Sequence, residues 1–196
     1  MFHSLAIYCG SAPGNDPAFI SAAHAAGATL ARRSIRVVYG GGGVGMMGAL
    51  ADGALRAGGK VIGVIPEFLN TRELQHPDVE DMIVVKTMHE RKLRMVEEAQ
   101  GFIALPGGFG TLDELFEVLT WAQLGIHGHP VGLLNIDGFF DGILQCLDHM
   151  VTQGFLMATD RQRLIAAADT DTLLDAMAAW KPPSEIKFTL AKRVVV

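Results

Sequence analysis

The sequence predicts an α/β fold, a mostly parallel sheet covered by helices on both faces. Three observations lead there. Short apolar runs alternate along the chain with segments of helical spacing. The runs read as buried strands, as expected for a sheet with both faces covered. Glycine-rich turns follow three of them, at Gly10-Ser11, Gly40 to Gly45 and Pro106 to Thr111. In such sheets ligands bind outside the carboxyl ends of the strands, so three loops of this kind point to one cleft.

The elements follow in order. Leu5 to Cys9 is a first strand, ending in the turn-rich Gly10-Ser11-Ala12-Pro13-Gly14. Asp16 caps and Pro17 opens a helix through Ala31. Ile35 to Tyr39 is the second strand, Gly40 to Gly43 a turn, and Val44 to Leu55 a small-residue helix ended by Gly58-Gly59. Val61 to Ile65 is the third strand, stopped by Pro66. Glu67 to Asp81 is polar and reads as a loop or a short irregular helix. Met82 to Lys86 is a strand, and Thr87-Met88-His89-Glu90 is a candidate capping box for a helix through Gln100. Phe102 to Leu105 and Val131 to Asn135 are further strands, with a helix over Leu115 to Ala122 between them. Gly138 to Gln153 is a helix, Leu164 to Ala168 a late strand, and Thr170 to Trp180 a last helix ended by Pro182-Pro183. This makes residues 1–183 one domain and 184–196 a C-terminal arm.

Composition bounds the function. The 196 residues are enough for a sizeable core, and 49% hydrophobic with 19% charged residues fits a well-buried globule. A net charge of −5 gives no electrostatic case for nucleic acid or an anionic membrane. No apolar run reaches the roughly 18 residues of a membrane span, and the first residues lack a basic leader. Cys9 and Cys146 form no disulfide framework and read as small core residues of a reduced compartment, so a cytoplasmic location is expected. His127-Gly128-His129 is a loop rather than a metal site, and no metal or other cofactor is called for.

The informative stretch is Leu105-Pro106-Gly107-Gly108-Phe109-Gly110-Thr111-Leu112-Asp113-Glu114. It joins a strand to a helix N-terminus. Glycines let backbone pass close to a ligand, and the free N–H groups at a helix start favour an anion, most often phosphate. An ordinary capping box explains Thr111 and Glu114 equally well, with Thr at the cap and Glu three residues on. The Pro-Gly-Gly-x-Gly before it exceeds what a cap requires. A second glycine motif, Gly43-Val44-Gly45-Met46-Met47-Gly48, matches G-x-G-x-x-G, with Glu67 placed as a ribose ligand. It follows the second strand rather than the first, which weakens an NAD-dependent reading. Arg91 and Lys92 sit early in their helix, where cations oppose the dipole unless an anion is near. Glu90 and Arg94 are spaced for a surface pair.

Together these residues are recognisable. Pro106 to Glu114 resembles the PGGxGTxxE signature of the Lonely Guy (LOG) family, and Met88-His89-Glu90-Arg91-Lys92 resembles its second signature. Cys9-Gly10-Ser11, Tyr39 to Gly48 and Thr120 to Gly125 are similar to other segments of that family, in the same order. The resemblance implies a Rossmann-like dimer. It implies an enzyme that cuts the N-glycosidic bond of a purine nucleoside 5′-monophosphate, of cytokinin type or AMP, to free base and ribose 5-phosphate. Arg91 and Glu114 are then the catalytic pair. Gly107, Gly108, Phe109, Gly110 and Thr111 hold the phosphate. Lys92, Glu73, Ser11, Gly42, Gly43, Met47 and Met88 complete the substrate contacts. Asp113 stands where Glu is common. Such proteins have often been labelled lysine decarboxylases, yet no lysine here stands out as a Schiff-base site. The reading from another class is a nucleotide carrier or sensor without turnover, which the same glycine loops would serve. The apolar helix from Leu115 to Leu124, carrying Phe116 and Trp121, is a candidate dimer face.

Overall fold

The structure, a computed structural model, describes residues 2–70 and 74–183. Among the described residues seven strands form one sheet: β1 (Ser4–Tyr8), β2 (Arg36–Tyr39), β3 (Val61–Pro66), β4 (Asp81–Val85), β5 (Phe102–Ala104), β6 (Val131–Leu134) and β7 (Leu164–Ala167). Every pairing is parallel, in the order β4-β3-β2-β1-β5-β6-β7. The chain therefore winds outward from β1 in one direction, then returns to β5 and winds the other way. The point of reversal lies between β1 and β5, the place where open α/β sheets generally bind their ligands. Gly10-Ser11 follows one of these strands and Pro106 to Gly108 the other.

The helices are α1 (Pro17–Arg32), α2 (Gly45–Arg56), α3 (Met88–Glu97), α4 (Phe109–Leu124), α5 (Asp141–Thr152), the short α6 (Ala158–Arg161) and α7 (Thr170–Ala179). One apolar cluster fills the space under α1, α2 and α7, with Leu30, Leu50 and Leu173 at its centre. The other lies under α3, α4 and α5, with Met95, Phe102, Leu115 and Phe140. Full burial of each such side chain contributes about 1.5–3 kcal/mol. The α1–α2 contact is unusually close. A Cβ on Gly27 would strike the Leu50 carbonyl, and one on Gly53 the His24 carbonyl, so the two backbones touch.

Local signals account for most boundaries. Asp16 is the N-cap of α1, its carboxylate accepting from Ala18 N–H, and Pro17 takes the first position. Thr87 caps α3 through a bond from Glu90 N–H, while Glu90 reaches back to accept from Lys86 N–H. That use of Glu90 overturns the expected pair with Arg94, which binds Glu97 and Glu98 instead. The helix expected from Gly138 starts only at Asp141. Ile136–Gly138 first forms a 3-10 turn in which Asp137 and Gly138 adopt positive φ, and Asn135 bonds Phe140 N–H and Asp141. Helix α6 had no periodic signal; it brings Asp160 beside Arg163, both buried, at 2.9 Å. Cys9 is buried as expected, but Cys146 is exposed, because α5 turns Leu147 rather than Cys146 to the core. The C-terminal arm, 184–196, lies outside the described residues.

Candidate active site

Helix α4 begins earlier than its sequence suggests. Gly108 is the N-cap, and Phe109, Gly110 and Thr111 form the first turn. Thr111 is thus inside the helix and buried, and no side chain caps this end. The capping-box explanation of Thr111 and Glu114 is overturned: Glu114 sits in the second turn, too far along to reach the cap. The first N–H of α4 with a helical acceptor is that of Leu112, bonded to the Gly108 carbonyl at 3.2 Å. The amides of Phe109, Gly110 and Thr111 are left at the helix start without intrahelical acceptors. The turn before them is seated on the β1 loop. Gly10 N–H donates to the Pro106 carbonyl at 3.1 Å, and a Cβ on Gly107 would run into Thr111 Oγ1 and approach Gly10 N at 2.8 Å. Gly107 is required by this close approach.

The second glycine turn is built differently. Gly43 N–H donates to the Leu74 carbonyl at 2.8 Å and His76 N–H to Gly41 at 3.0 Å, so Leu74 to His76 forms a clasp along Gly41 to Gly43. At the start of α2, Met47 N–H donates to Gly10 and Met46 N–H to Ala12, at 3.2 and 3.4 Å. These amides are occupied by the chain itself. The dinucleotide reading needs them open to a pyrophosphate, so the geometry disfavours it.

Arg91 and Glu114 meet under the cleft. Arg91 Nη1 is 3.3 Å from Glu114 Oε1, and both side chains are under a tenth exposed. Arg91 Nε donates to the Val64 carbonyl at 3.0 Å. Its Nη2 lies against the Cα of Gly40, where a Cβ would collide with it. Helices α3 and α4 thus bring the guanidinium and carboxylate together, and β2 and β3 hold the guanidinium from below. Burial is the main influence on Glu114 and pushes its carboxyl up to about 7; Arg91 acts against that rise and Asp113 adds to it. Tyr8, buried at the end of β1, has its phenol held well above the usual range by burial and then by the Glu114 and Glu117 carboxylates.

Arg91 also lines a cavity of about 290 Å³, with Ser11, Gly40, Gly42, Val44, Met47, Ile65, Leu69 and Leu74. Of the residues expected at the site, Ser11, Gly42, Met47 and Arg91 share this cavity, with Glu114 behind Arg91. Gly107 to Thr111 stand beside it, across Gly10. Gly43 is turned to the clasp, and Met88 is partly exposed at the start of α3, outside the lining. Lys92 Nζ is held between Asp113 and Glu117, at 3.1 and 3.0 Å. Glu73 lies outside the described residues. Gly40, Val44, Ile65, Leu69 and Leu74 were not singled out individually from sequence. Gly40 carried a signal in its glycine run, whereas Leu69 and Leu74 sit in a polar loop without periodicity.

Residues 47–177 match the family model described as possible lysine decarboxylase. Cytokinin riboside 5′-monophosphate phosphoribohydrolase LOG2 of Arabidopsis thaliana is 43% identical over 92% of this chain and 85% of its own length. The enzyme of that description named LOG from Oryza sativa subsp. japonica is 49% identical over 94% of this chain and 76% of its own. The chain belongs to the LOG family. This LOG-family protein also shares its fold with two more distant structures. One is a molybdenum cofactor binding protein from Rippkaea orientalis, with a TM-score of 0.68 at 21% identity over 90% of this chain and 95% of that one. The other is a Moco carrier protein from Chlamydomonas reinhardtii, with a TM-score of 0.67 at 21% identity over 96% and 98%. At that identity the likeness is one of fold alone. As for the name of the family model, Lys92 does not resemble a free amine awaiting a carbonyl, since two carboxylates hold it.

Proposed function

We propose that this LOG-family protein hydrolyses the N-glycosidic bond of a purine nucleoside 5′-monophosphate, of cytokinin type or AMP itself, releasing the base and ribose 5-phosphate. The observation that carries the reading is the buried Arg91–Glu114 pair at the edge of a cavity, beside an uncapped helix start. The 5′-phosphate binds the amides of Phe109 to Thr111 at the positive end of α4. That fixes the ribose near Glu114, on the same helix. As the bond from C1′ to the base nitrogen breaks, positive charge develops on the ribose, and the Glu114 carboxylate stabilises it. Water adds to C1′, and its proton ends on the departing base. Arg91, fixed by the Val64 carbonyl, orients Glu114 and offers its remaining N–H groups to the substrate. The relatives of known name are phosphoribohydrolases of this kind. A carrier would have little use for a carboxylate facing a phosphate ester, and a buried cation holding it in place belongs to chemistry rather than storage.

The protein acts as a homodimer in this reading. Its support is an apolar groove of about 230 Å³ between α4, α5 and α6, lined by Phe116, Leu119, Leu147, Met150, Phe155 and Leu156, where Phe155 is 85% exposed. The cytoplasm, which keeps thiols such as Cys9 and Cys146 reduced, is the proposed location. Among the described residues no helix is long and apolar enough to cross a membrane. The test is to incubate purified protein with AMP and with isopentenyladenosine monophosphate and to separate the products. Free base and ribose 5-phosphate are expected; bound but intact nucleotide would return the protein to the carriers. Light scattering should give about twice the 21.0 kDa chain mass, and a monomer mass would remove the dimer.

A further inference from the structure

The segment between β3 and β4 supplies two apolar residues of the cavity wall, Leu69 and Leu74. Neither belongs to the core: Leu69 is half-buried and Leu74 is 40% exposed. Among the described residues from Glu67 to Asp78, His76 alone is buried, at 3% exposure. A histidine buried in an otherwise exposed loop needs a reason. Its backbone N–H donates to the Gly41 carbonyl, and two residues earlier Leu74 accepts from Gly43 N–H. Its ring Nδ1 accepts from Asp78 N–H at 3.2 Å, closing the kind of local turn that Asn and Asp side chains make. Ring Nε2 is 3.7 Å from Asp52 Oδ1, too far for a hydrogen bond. The loop sits on the glycine turn without slack, since a Cβ on Gly43 would press on the Gln75 carbonyl and the His76 Cα, both at 3.0 Å.

We propose that His76 is a positioning residue: it anchors the loop between β3 and β4 on the second glycine turn, and so sets Leu69 and Leu74 as the wall against which the base of the nucleotide packs. The proposal deepens the hydrolase reading and rests on its nucleotide site. Sheet order supplies the direction. Strands β3 and β4 lie beyond β2, on the opposite side of β1 from β5, and α4 follows β5. A nucleotide with its phosphate at the start of α4 and its sugar near Glu114 therefore extends its base away from β5, toward Leu69 and Leu74. The bonds that fix Arg91, to Val64 and Glu114, do not pass through this loop. Loss of the anchor is thus felt by the base and not by the phosphate or the reacting pair.

The test is His76→Ala, read by NMR titration with AMP and with ribose 5-phosphate, which has the phosphate and sugar but no base. The Kd for AMP should rise by about tenfold or more, as two leucines lose their place against the base, while that for ribose 5-phosphate stays within about twofold. In base release from AMP, KM should carry the loss and kcat change by less than about threefold. His76→Asn, which can still accept from Asp78 N–H, should restore AMP binding. Equal weakening of both ligands, unchanged AMP binding with only a lower melting temperature, or no rescue by His76→Asn would each overturn the proposal. Should His76→Ala fail to fold, Gly43→Ala, which presses on the loop from the other side, must weaken AMP and spare ribose 5-phosphate; equal effects overturn the proposal. If the wild type binds AMP but releases no base, the hydrolase reading fails, while the two affinities still decide the role of His76. If it binds neither ligand, the nucleotide site fails and this proposal with it.

Discussion

The Arg91 guanidinium and the Glu114 carboxylate meet at 3.3 Å from two different helices, and both are shielded from solvent. A buried pair of this kind is weak evidence for stability, since desolvation of the two charges offsets much of their attraction. Its placement at the wall of a cavity near the carboxyl end of the sheet suits chemistry better than architecture.

Glu114→Gln is therefore expected to keep nucleotide binding and lose turnover by about 10²-fold or more, a few kcal/mol of transition-state stabilisation. Because Glu114 caps nothing, the loss does not pass through helix formation. Calorimetric titration with AMP and a base-release assay on the same folded sample check both halves. Near-normal turnover would move the carboxylate role to another acid.

The pH dependence follows from burial. Glu114 rises from an ordinary 4.5 to about 7 in the folded chain. Between these values the folded protein binds more protons at this site than the unfolded one. Stability from this group is complete below pH 4.5 and falls as pH climbs to about 7. The ceiling on that loss is about 3 kcal/mol. Urea unfolding at pH 5 and pH 8 should show the wild type losing stability relative to Glu114→Gln across this window. Activity should show the opposite trend, with an acid limb near 7, because the carboxylate form works. Parallel pH–stability curves for the two proteins would contradict the shift.

Gly40→Ala tests the support of the guanidinium without altering any charge. The new Cβ would occupy the place of Arg91 Nη2. Displacing a catalytic group by about 1 Å can cost up to about 10²-fold. We expect a fall in kcat/KM of about tenfold or more, with the protein still folded by circular dichroism. Wild-type kinetics would mean that Arg91 moves freely and that its position is not critical.

A crystal grown with AMP or phosphate should place the anion on the amides of Phe109 to Thr111 rather than at α2, whose first amides already serve Gly10 and Ala12. Gly107→Ala should raise KM for AMP by about tenfold or more, since its methyl would push Thr111 and the turn apart. An anion found at Met46 and Met47 would reverse the assignment.

The sheet was legible because its strands are apolar runs between helices, and the turn after β5 because glycine marks it. The Thr87 and Asp16 caps were legible for the same local reason. The sequence left the capping-box alternative for Thr111 open, since a cap motif and a first-turn residue share the same spacing. Asp137 hid the real start of α5, because a non-glycine residue at positive φ leaves no mark in composition. The meeting of Arg91 with Val64 and Gly40 depends on strand order, which one sequence does not carry. Only the likeness to the LOG family linked Arg91 to Glu114 in advance.

The touching backbones of α1 and α2 have a mechanical consequence. Where side chains separate two helices, a rotamer change can absorb an added methyl. At Gly27 and Gly53 there is no such cushion, and extra bulk must shift α2 as a whole. The leading end of α2 grips the carbonyls of Gly10 and Ala12, and Gly10 grips Pro106. Through these bonds, a methyl placed at Gly53, about 12 Å along the axis from Gly45, would be felt at the Gly10 and Pro106 loops without approaching them.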